Sequence, residues 1–174
     1  KKHLALLFAI GVVSFAGLWN FGFKEYQKHR IMNFIHPLAD IRGSGYNAYQ
    51  AMITVGSGEI VGKGIGYGTQ SRLKFLPEYE TDFIFAAFAE EWGFVGVIIL
   101  FILYIIIIGR IIVWAMRGET NFETLYAMGL AIFFMVHLTI NIGMNIGVMP
   151  VTGIPVPFMS YGGSHLLTEF IGLG

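Results

Sequence analysis

The sequence predicts an all-α polytopic membrane protein, a bundle of transmembrane helices joined by one long loop that holds short helices of its own. Three observations carry this. The 174 residues are 55% hydrophobic and 13% charged, against about 25% charged in soluble domains. Uncharged apolar runs of membrane-spanning length recur along the chain. The stretch between the first two runs is long, yet it is too rich in Phe, Ile, Leu, Tyr and Met to be disordered.

The elements follow in order. Leu4–Phe23 runs without a charge, and about 20 apolar residues at 1.5 Å rise span a hydrocarbon core of about 30 Å. It lacks the small-residue cleavage site of a signal peptide. Residues 24–82 form the long loop, within which YNAYQAMITV (Tyr46–Val55) reads as a short interfacial helix with Tyr46 and Tyr49 at headgroup depth. Phe83–Gly109 is a second span, and its IILFILYIIIIG stretch is apolar all round, as a lipid-facing helix should be. Leu125–Val148 is a third. It carries His137, Asn141 and Asn145 at four-residue spacing, hence on one face, and that face should look into the protein. Residues 149–164, MPVTGIPVPFMSYGGS, hold too many prolines and glycines to continue a helix. Irregular backbone at such depth is tolerated when buried in protein or lining a wet cavity. Residues 165–174 begin a fourth span, which is cut short, so the chain reads as part of a longer protein.

Zero net charge argues against nucleic-acid binding. The absence of cysteine excludes disulfides, thiolate metal sites and cysteine nucleophiles. Charge sets orientation poorly. Lys1, Lys2, Arg110 and Arg117 share one side; Lys24, Lys28, Arg30, Arg42, Lys63, Arg72 and Lys74 share the other. A plain count puts the long loop inside, but the positive-inside rule holds for short loops.

The candidate chemistry centres on LPEYETDFIFAAFAEEWG (Leu76–Gly93). Asp82 is the last polar residue before a long apolar run, and Glu90 and Glu91 lie within that run. Carboxylates at or in a bilayer are costly and mark functional sites by default. Asp82 has two readings, an N-terminal helix cap and a catalytic group where water meets lipid. Glu90 and Glu91 are either a structural pair bonded to neighbouring helices or part of a proton or ion path. His137 with Asn141 and Asn145 is an interhelical hydrogen-bond stripe before it is a metal site. GSGEIVGKGIGYGT (Gly56–Thr69) fails the phosphate-loop pattern because Gly64, not Ser or Thr, follows Lys63. It is either a flexible turn or a cradle of backbone N–H groups for an anion, with Lys63, Arg72 and Lys74 as its cations.

GSGEIVGKGIGYGTQSRLKFLPEYETDFIFAAFAEEWGFVG, followed by NIGMNIGVMPVTGIPVPFMSYGGS, closely resembles the shape, elongation, division and sporulation family of peptidoglycan glycosyltransferases. The match runs from about Tyr46 to Ser164. KGIGYGTQS, NIGM and VTGIPVPF are closer to the RodA-like elongation branch than to the FtsW-like division branch. The resemblance implies a bacterial plasma-membrane protein of ten helices, of which this chain is the C-terminal part from about the seventh, with residues 24–82 extracytoplasmic. It implies lipid II as substrate, and as partners a class B penicillin-binding protein transpeptidase and other membrane proteins of the cell-elongation complex. The family's essential aspartate falls on Asp82. Two positions depart from the family pattern. Glu80 replaces a usual His, adding charge that can raise the pKa of Asp82 or help hold a cation, and Glu59 replaces a usual Gly.

The implied reaction joins a sugar 4-hydroxyl to an anomeric carbon and expels lipid diphosphate. Asp82 is the candidate base or, alternatively, a ligand for Mg²⁺ or Mn²⁺. Lys63, Arg72 and Lys74 are candidates to stabilise the leaving diphosphate, with Gln70 and Ser160 as further substrate-binding residues. Two other classes fit some of the same features. A lipid II flippase would use Glu90, Glu91 and Asn141 near the midplane, and a non-catalytic scaffold would only position the transpeptidase.

Overall fold

The fold comes from a computed structural model. It describes residues 22–36, 45–73 and 75–174, with isolated positions before them. The expected span at 4–23 lies largely outside these residues, as do Arg42 and Lys74. The described elements are helical: α1 Glu25–Ile35, α2 Tyr46–Ser57, α3 Thr69–Arg72, α4 Ile84–Ala115, α5 Asn121–Asn145 and α6 Gly163–Leu173. Of these, α4 and α5 are long and apolar enough to cross a membrane.

The short helix expected at Tyr46–Val55 is present as α2, while α1 was not foreseen. Its sequence, EYQKHRIMNFI, has no strong apolar stripe, and it is set off by Gln27, whose side chain accepts the Lys24 N–H at 2.9 Å. Helix α4 passes the expected end at Gly109 by way of Arg110, because Ile111–Ala115 is again apolar and helix-compatible. Helix α5 begins ahead of the expected Leu125. Thr120 Oγ1 accepts the Glu123 N–H at 3.3 Å, and the Glu123 carboxylate accepts the Glu119 N–H at 3.1 Å. This Thr-x-x-Glu start is a capping arrangement written in the sequence. The helix stops at Asn145, not Val148, because the Val148 and Met149 N–H groups both turn back to the Gly143 carbonyl, at 2.8 and 3.0 Å.

Helices α4 and α5 pack along a core of Phe85, Ala89, Val97, Tyr104, Ile108, Ala131 and Phe134, joined by Val156 from the connection to α6. A second cluster, Ala51, Leu76, Phe83 and Ala86, seats α2 and the turn before α4. The outward face of α4 exposes Ile98, Ile99, Ile102, Leu103, Ile105 and Ile106. Burying such residues in lipid is favourable and leaving them in water is not.

Gly93 breaks α4 with φ 66° and ψ −168°. A break in a helix frees carbonyls before it and amides after it. The glycine-rich loop takes up both sets. Lys63 and Gly64 donate their N–H groups to the Glu90 and Glu91 carbonyls, each at 3.0 Å, and Phe94 and Val95 donate theirs to the Glu59 and Ile60 carbonyls, at 3.0 and 3.1 Å. The fit needs glycine on both sides: a Cβ on Gly93 would lie 2.3 Å from the Gly62 nitrogen, and one on Gly62 would lie 2.2 Å from the Glu91 oxygen.

Candidate active site

Asp82 sits in a turn just before α4. The Thr81 and Phe83 N–H groups both donate to the Glu78 carbonyl, at 3.2 and 3.1 Å. Phe83, buried to 1% exposure, is the residue at the helix N-cap, and no side chain caps there. The capping reading of Asp82 is therefore corrected: its carboxylate serves no helix end.

The carbonyls of this turn are tied down instead. Asn141 Nδ2 donates to the Asp82 carbonyl at 2.9 Å and to the Ile154 carbonyl at 2.8 Å. Asn145 Oδ1 accepts the Ala86 N–H at 3.2 Å, and its Nδ2 donates to Asn141 Oδ1 at 2.9 Å. Ser160 Oγ donates to the Thr81 carbonyl while accepting the Val156 N–H, both at 2.8 Å. The Tyr161 N–H donates to the Glu80 carbonyl at 2.8 Å. The irregular segment after α5 is thus a strap laid against the Asp82 turn. It holds three residues in the left-handed region, Gly147 and Gly153, each at φ 76°, and Phe158 at φ 60°. For a non-glycine residue such backbone costs about 1–3 kcal/mol and persists only where surrounding contacts hold it.

Asp82 lines a cavity of about 700 Å³. Its polar lining is Glu78, Arg30, His29, Asn33 and Asn47, and Tyr26, Met52 and Met149 supply apolar wall. Arg30 is fixed from two sides: its guanidinium donates to the Thr152 carbonyl at 3.3 Å and stands 6.0 Å from the centre of the Tyr26 ring. Burial pushes the Asp82 carboxyl above its ordinary range, and the neighbouring Glu78 charge pushes the same way against the pull of Arg30. An aspartate so raised is a stronger base than one in water.

The other residues singled out from the sequence are placed as follows. Lys63 does not reach this cavity. Its ammonium is held by Glu90 at 2.7 Å, Thr69 Oγ1 at 2.8 Å and Ser57 Oγ at 3.1 Å. Glu90, fully buried, also accepts the Gln70 backbone N–H at 3.1 Å. The glycine loop is thereby corrected from an anion cradle to a clamp on α4, since the N–H groups of Lys63 and Gly64 are already spent on α4 carbonyls. Glu90 is an internal ion pair with that loop and not one member of a path with Glu91, whose carbonyl receives Gly64. Gln70 bonds through its side chain to Gln50, Arg72 is exposed at the end of α3, and neither lines the cavity. Ser160 is hydrogen-bonded to backbone groups of the strap and the turn and does not line the cavity. Asn141 and Asn145 do form the expected polar stripe. His137 continues it with a hydrogen bond to the Pro155 backbone, and it also stacks on His165 of α6 with ring centres 5.8 Å apart.

The acidic neighbour of Asp82 on the cavity is Glu78, not Glu80. The Glu80 carboxylate accepts the Tyr79 hydroxyl at 2.8 Å, which raises the Tyr79 pKa. Arg30, His29, Asn33 and Asn47 were not read as site residues. Nothing local marks them, because only tertiary packing brings α1 and α2 to Asp82. Among the described residues no three His, Asp or Glu side chains gather as a metal cluster.

The chain resembles known proteins over most of its length. The family model for FtsW/RodA/SpoVE, described as cell cycle protein, matches residues 1–174. The peptidoglycan glycosyltransferase MrdB of Escherichia coli is 47% identical over 157 residues, which are 90% of this chain and 42% of that protein. The peptidoglycan glycosyltransferase RodA of Treponema pallidum is 39% identical over 178 residues, covering 100% of this chain and 41% of that protein. A chain in a solved peptidoglycan synthase complex, described as coordinating polymerization and crosslinking, superposes with a TM-score of 0.73 at 32% identity. That match covers 99% of this chain and 47% of the other. The chain therefore spans less than half the length of these relatives. With its apolar helices, its strapped aspartate turn and a family match from end to end, this chain belongs to the FtsW/RodA/SpoVE family of membrane proteins.

Proposed function

We propose that the whole protein is a peptidoglycan glycosyltransferase of the bacterial plasma membrane that polymerises lipid II during cell elongation, with residues 24–82 on the extracytoplasmic side. The observation that carries this reading is the Asp82 carboxylate, raised in basicity, on a cavity that also presents the Arg30 guanidinium. Asp82 takes the proton of the sugar 4-hydroxyl. The oxygen then bonds to the anomeric carbon of the second sugar, and the bond from that carbon to the diphosphate breaks, the electron pair leaving with the lipid diphosphate. Diphosphate departs without a strong acid, so one carboxylate suffices, and base catalysis of this kind is worth roughly 10²–10⁴-fold. Arg30 is the cation placed to receive the developing charge. In this reading it takes the role that the sequence suggested for Lys63 and Arg72, neither of which lines the cavity.

A divalent cation fits the same place on donor chemistry. Asp82 and Glu78 are oxygen donors on one cavity, and Mg²⁺ typically takes one or two carboxylates with phosphate and water oxygens. Mg²⁺ or Mn²⁺ held there would neutralise the diphosphate. The likeness to a peptidoglycan synthase complex supports a class B penicillin-binding protein as partner, and other membrane proteins of the elongation complex would assemble around the pair. The flippase reading draws less support, because Glu90 is locked to Lys63 and Asn141 to two carbonyls.

The test is glycan-strand formation from lipid II by the full-length protein with its transpeptidase partner. Asp82→Asn should abolish it. Wild-type activity in that variant would remove both the base and the metal-ligand roles, and lipid II scrambling in proteoliposomes without polymer would favour transport.

A further inference from the structure

Glu169 is a buried carboxylate that the reaction does not use. It is 2% exposed. Its Oε2 accepts the Phe158 N–H at 2.8 Å, and its Oε1 lies 2.8 Å from His165 Nε2, one helical turn earlier on α6. Phe158 is the strap residue with φ 60°, and its ring is boxed edge-on between Phe134 of α5 and Phe170 of α6, at 5.1 and 5.6 Å. Just before it the Pro157 carbonyl accepts the Tyr104 hydroxyl. Just after it come Ser160 and Tyr161, the two residues that hold the Thr81 and Glu80 carbonyls beside Asp82.

We propose that Glu169, paired with His165, is a positioning residue for Asp82. It fixes the left-handed turn at Phe158 and thereby sets the strap that holds the aspartate turn in place. A buried carboxylate accepting a backbone N–H makes a charge-assisted bond, and such a bond is suited to holding a backbone conformation that a phenylalanine would otherwise leave. The His165 ring lies against the other carboxylate oxygen at 2.8 Å without making a hydrogen bond to it, so the Phe158 N–H is the hydrogen bond that holds this carboxylate in place. Glu169 acts on the reaction only through the strap.

This inference rests on the glycosyltransferase reading, so the experiment separates the two. Full-length protein with its transpeptidase partner is assayed for lipid II polymerisation as wild type, Asp82→Asn, Glu169→Ala, Glu169→Gln and Glu169→Ala/Phe158→Gly. Glu169→Ala should lower kcat by about tenfold or more, with KM changed by less than about threefold, as expected when a group acts on the transition state and not on binding. Glu169→Gln still offers an oxygen to the Phe158 N–H and should retain most of the turnover. Phe158→Gly adopts a positive φ without help, so the double variant should recover part of what Glu169→Ala loses. A second readout does not involve catalysis. In a Glu80→Cys/Tyr161→Cys pair, disulfide formation should be efficient in the wild-type background and slow with Glu169→Ala. If the wild type makes no polymer, or Asp82→Asn is active, the function reading falls, while the cross-linking result still decides the strap. If Asp82→Asn is dead but Glu169→Ala keeps wild-type kcat and cross-linking, the positioning role is overturned. Equal loss in Glu169→Ala and Glu169→Gln with no recovery by Phe158→Gly also overturns it.

Discussion

Gly153 leaves room for Asp82: a Cβ at position 153 would lie 3.1 Å from Asp82 Oδ2. The glycine is also held at φ 76°, where an L side chain costs about 1–2 kcal/mol. Gly153→Ala should therefore strain the strap and press on the carboxylate together. The expected outcome is a fall in kcat of at least about tenfold for a stability loss of only about 1–2 kcal/mol. Polymerisation kinetics and thermal unfolding of the same preparation check this.

The pH profile should report the surroundings of Asp82. Its carboxyl stands above the ordinary range because of burial and the Glu78 charge, and Arg30 opposes them. A base must be ionised, so turnover falls as pH drops through that raised value. Glu78→Gln removes a repulsive charge and should move the acidic limb of kcat/KM to lower pH. Arg30→Gln removes an attractive one and should move it to higher pH, with lower turnover at every pH.

Stability runs the other way. The folded state binds this proton more tightly than the unfolded chain, so ionised Asp82 is unfavourable to the fold above the folded pKa, and that penalty is relieved as pH falls through it. Asp82→Asn should accordingly unfold at a higher temperature than wild type near neutral pH, and the difference should close in acid. Scanning unfolding in detergent across pH measures it.

The Lys63–Glu90 pair should matter for folding before it matters for chemistry. Lys63→Ala leaves a fully buried carboxylate without its cation, which costs about 3–5 kcal/mol for buried pairs. Replacing both partners, as Lys63→Met/Glu90→Leu, should recover much of this, and the pH profile of the residual activity should match wild type. A single-variant loss of activity with unchanged unfolding would instead place Lys63 on the substrate.

The clamp at the helix break has its own test. Gly93→Ala places a Cβ 2.3 Å from the Gly62 nitrogen and 2.6 Å from the Ile60 oxygen. Both contacts are to backbone, which cannot swing aside. A destabilisation of at least about 2 kcal/mol is expected, with faster amide exchange at Lys63, Gly64, Phe94 and Val95.

The helices could be read because hydrophobicity and length are local properties. Runs of uncharged residues located α4 and α5, and the aromatic-rich stretch from Tyr46 located α2. Their ends were read less well. Arg110 looked like a stop, yet a single charge near a helix end is tolerated when apolar residues resume. Thr120 and Glu123 were a start signal that the apolar run hid. Asp82 stands out in the sequence because a carboxylate at the edge of an apolar helix is costly wherever it lies.

What surrounds Asp82 was decided by tertiary structure. Lys63 and Arg72 are nearer to it in sequence than Arg30, but proximity in sequence does not aim a side chain. Lys63 meets Glu90 because Gly58, Gly62 and Gly93 let the loop sink onto a broken helix. Arg30 shares the Asp82 cavity because its guanidinium is tied to the strap at the Thr152 carbonyl. The chain's order of residues was enough to fix its membrane character, its main helices and its acidic centre, since each follows from the solvation energy of short segments. Which cation faces the acid, which carboxylate shares its cavity and which strap holds it depended on packing between distant segments, whose geometry no short segment encodes.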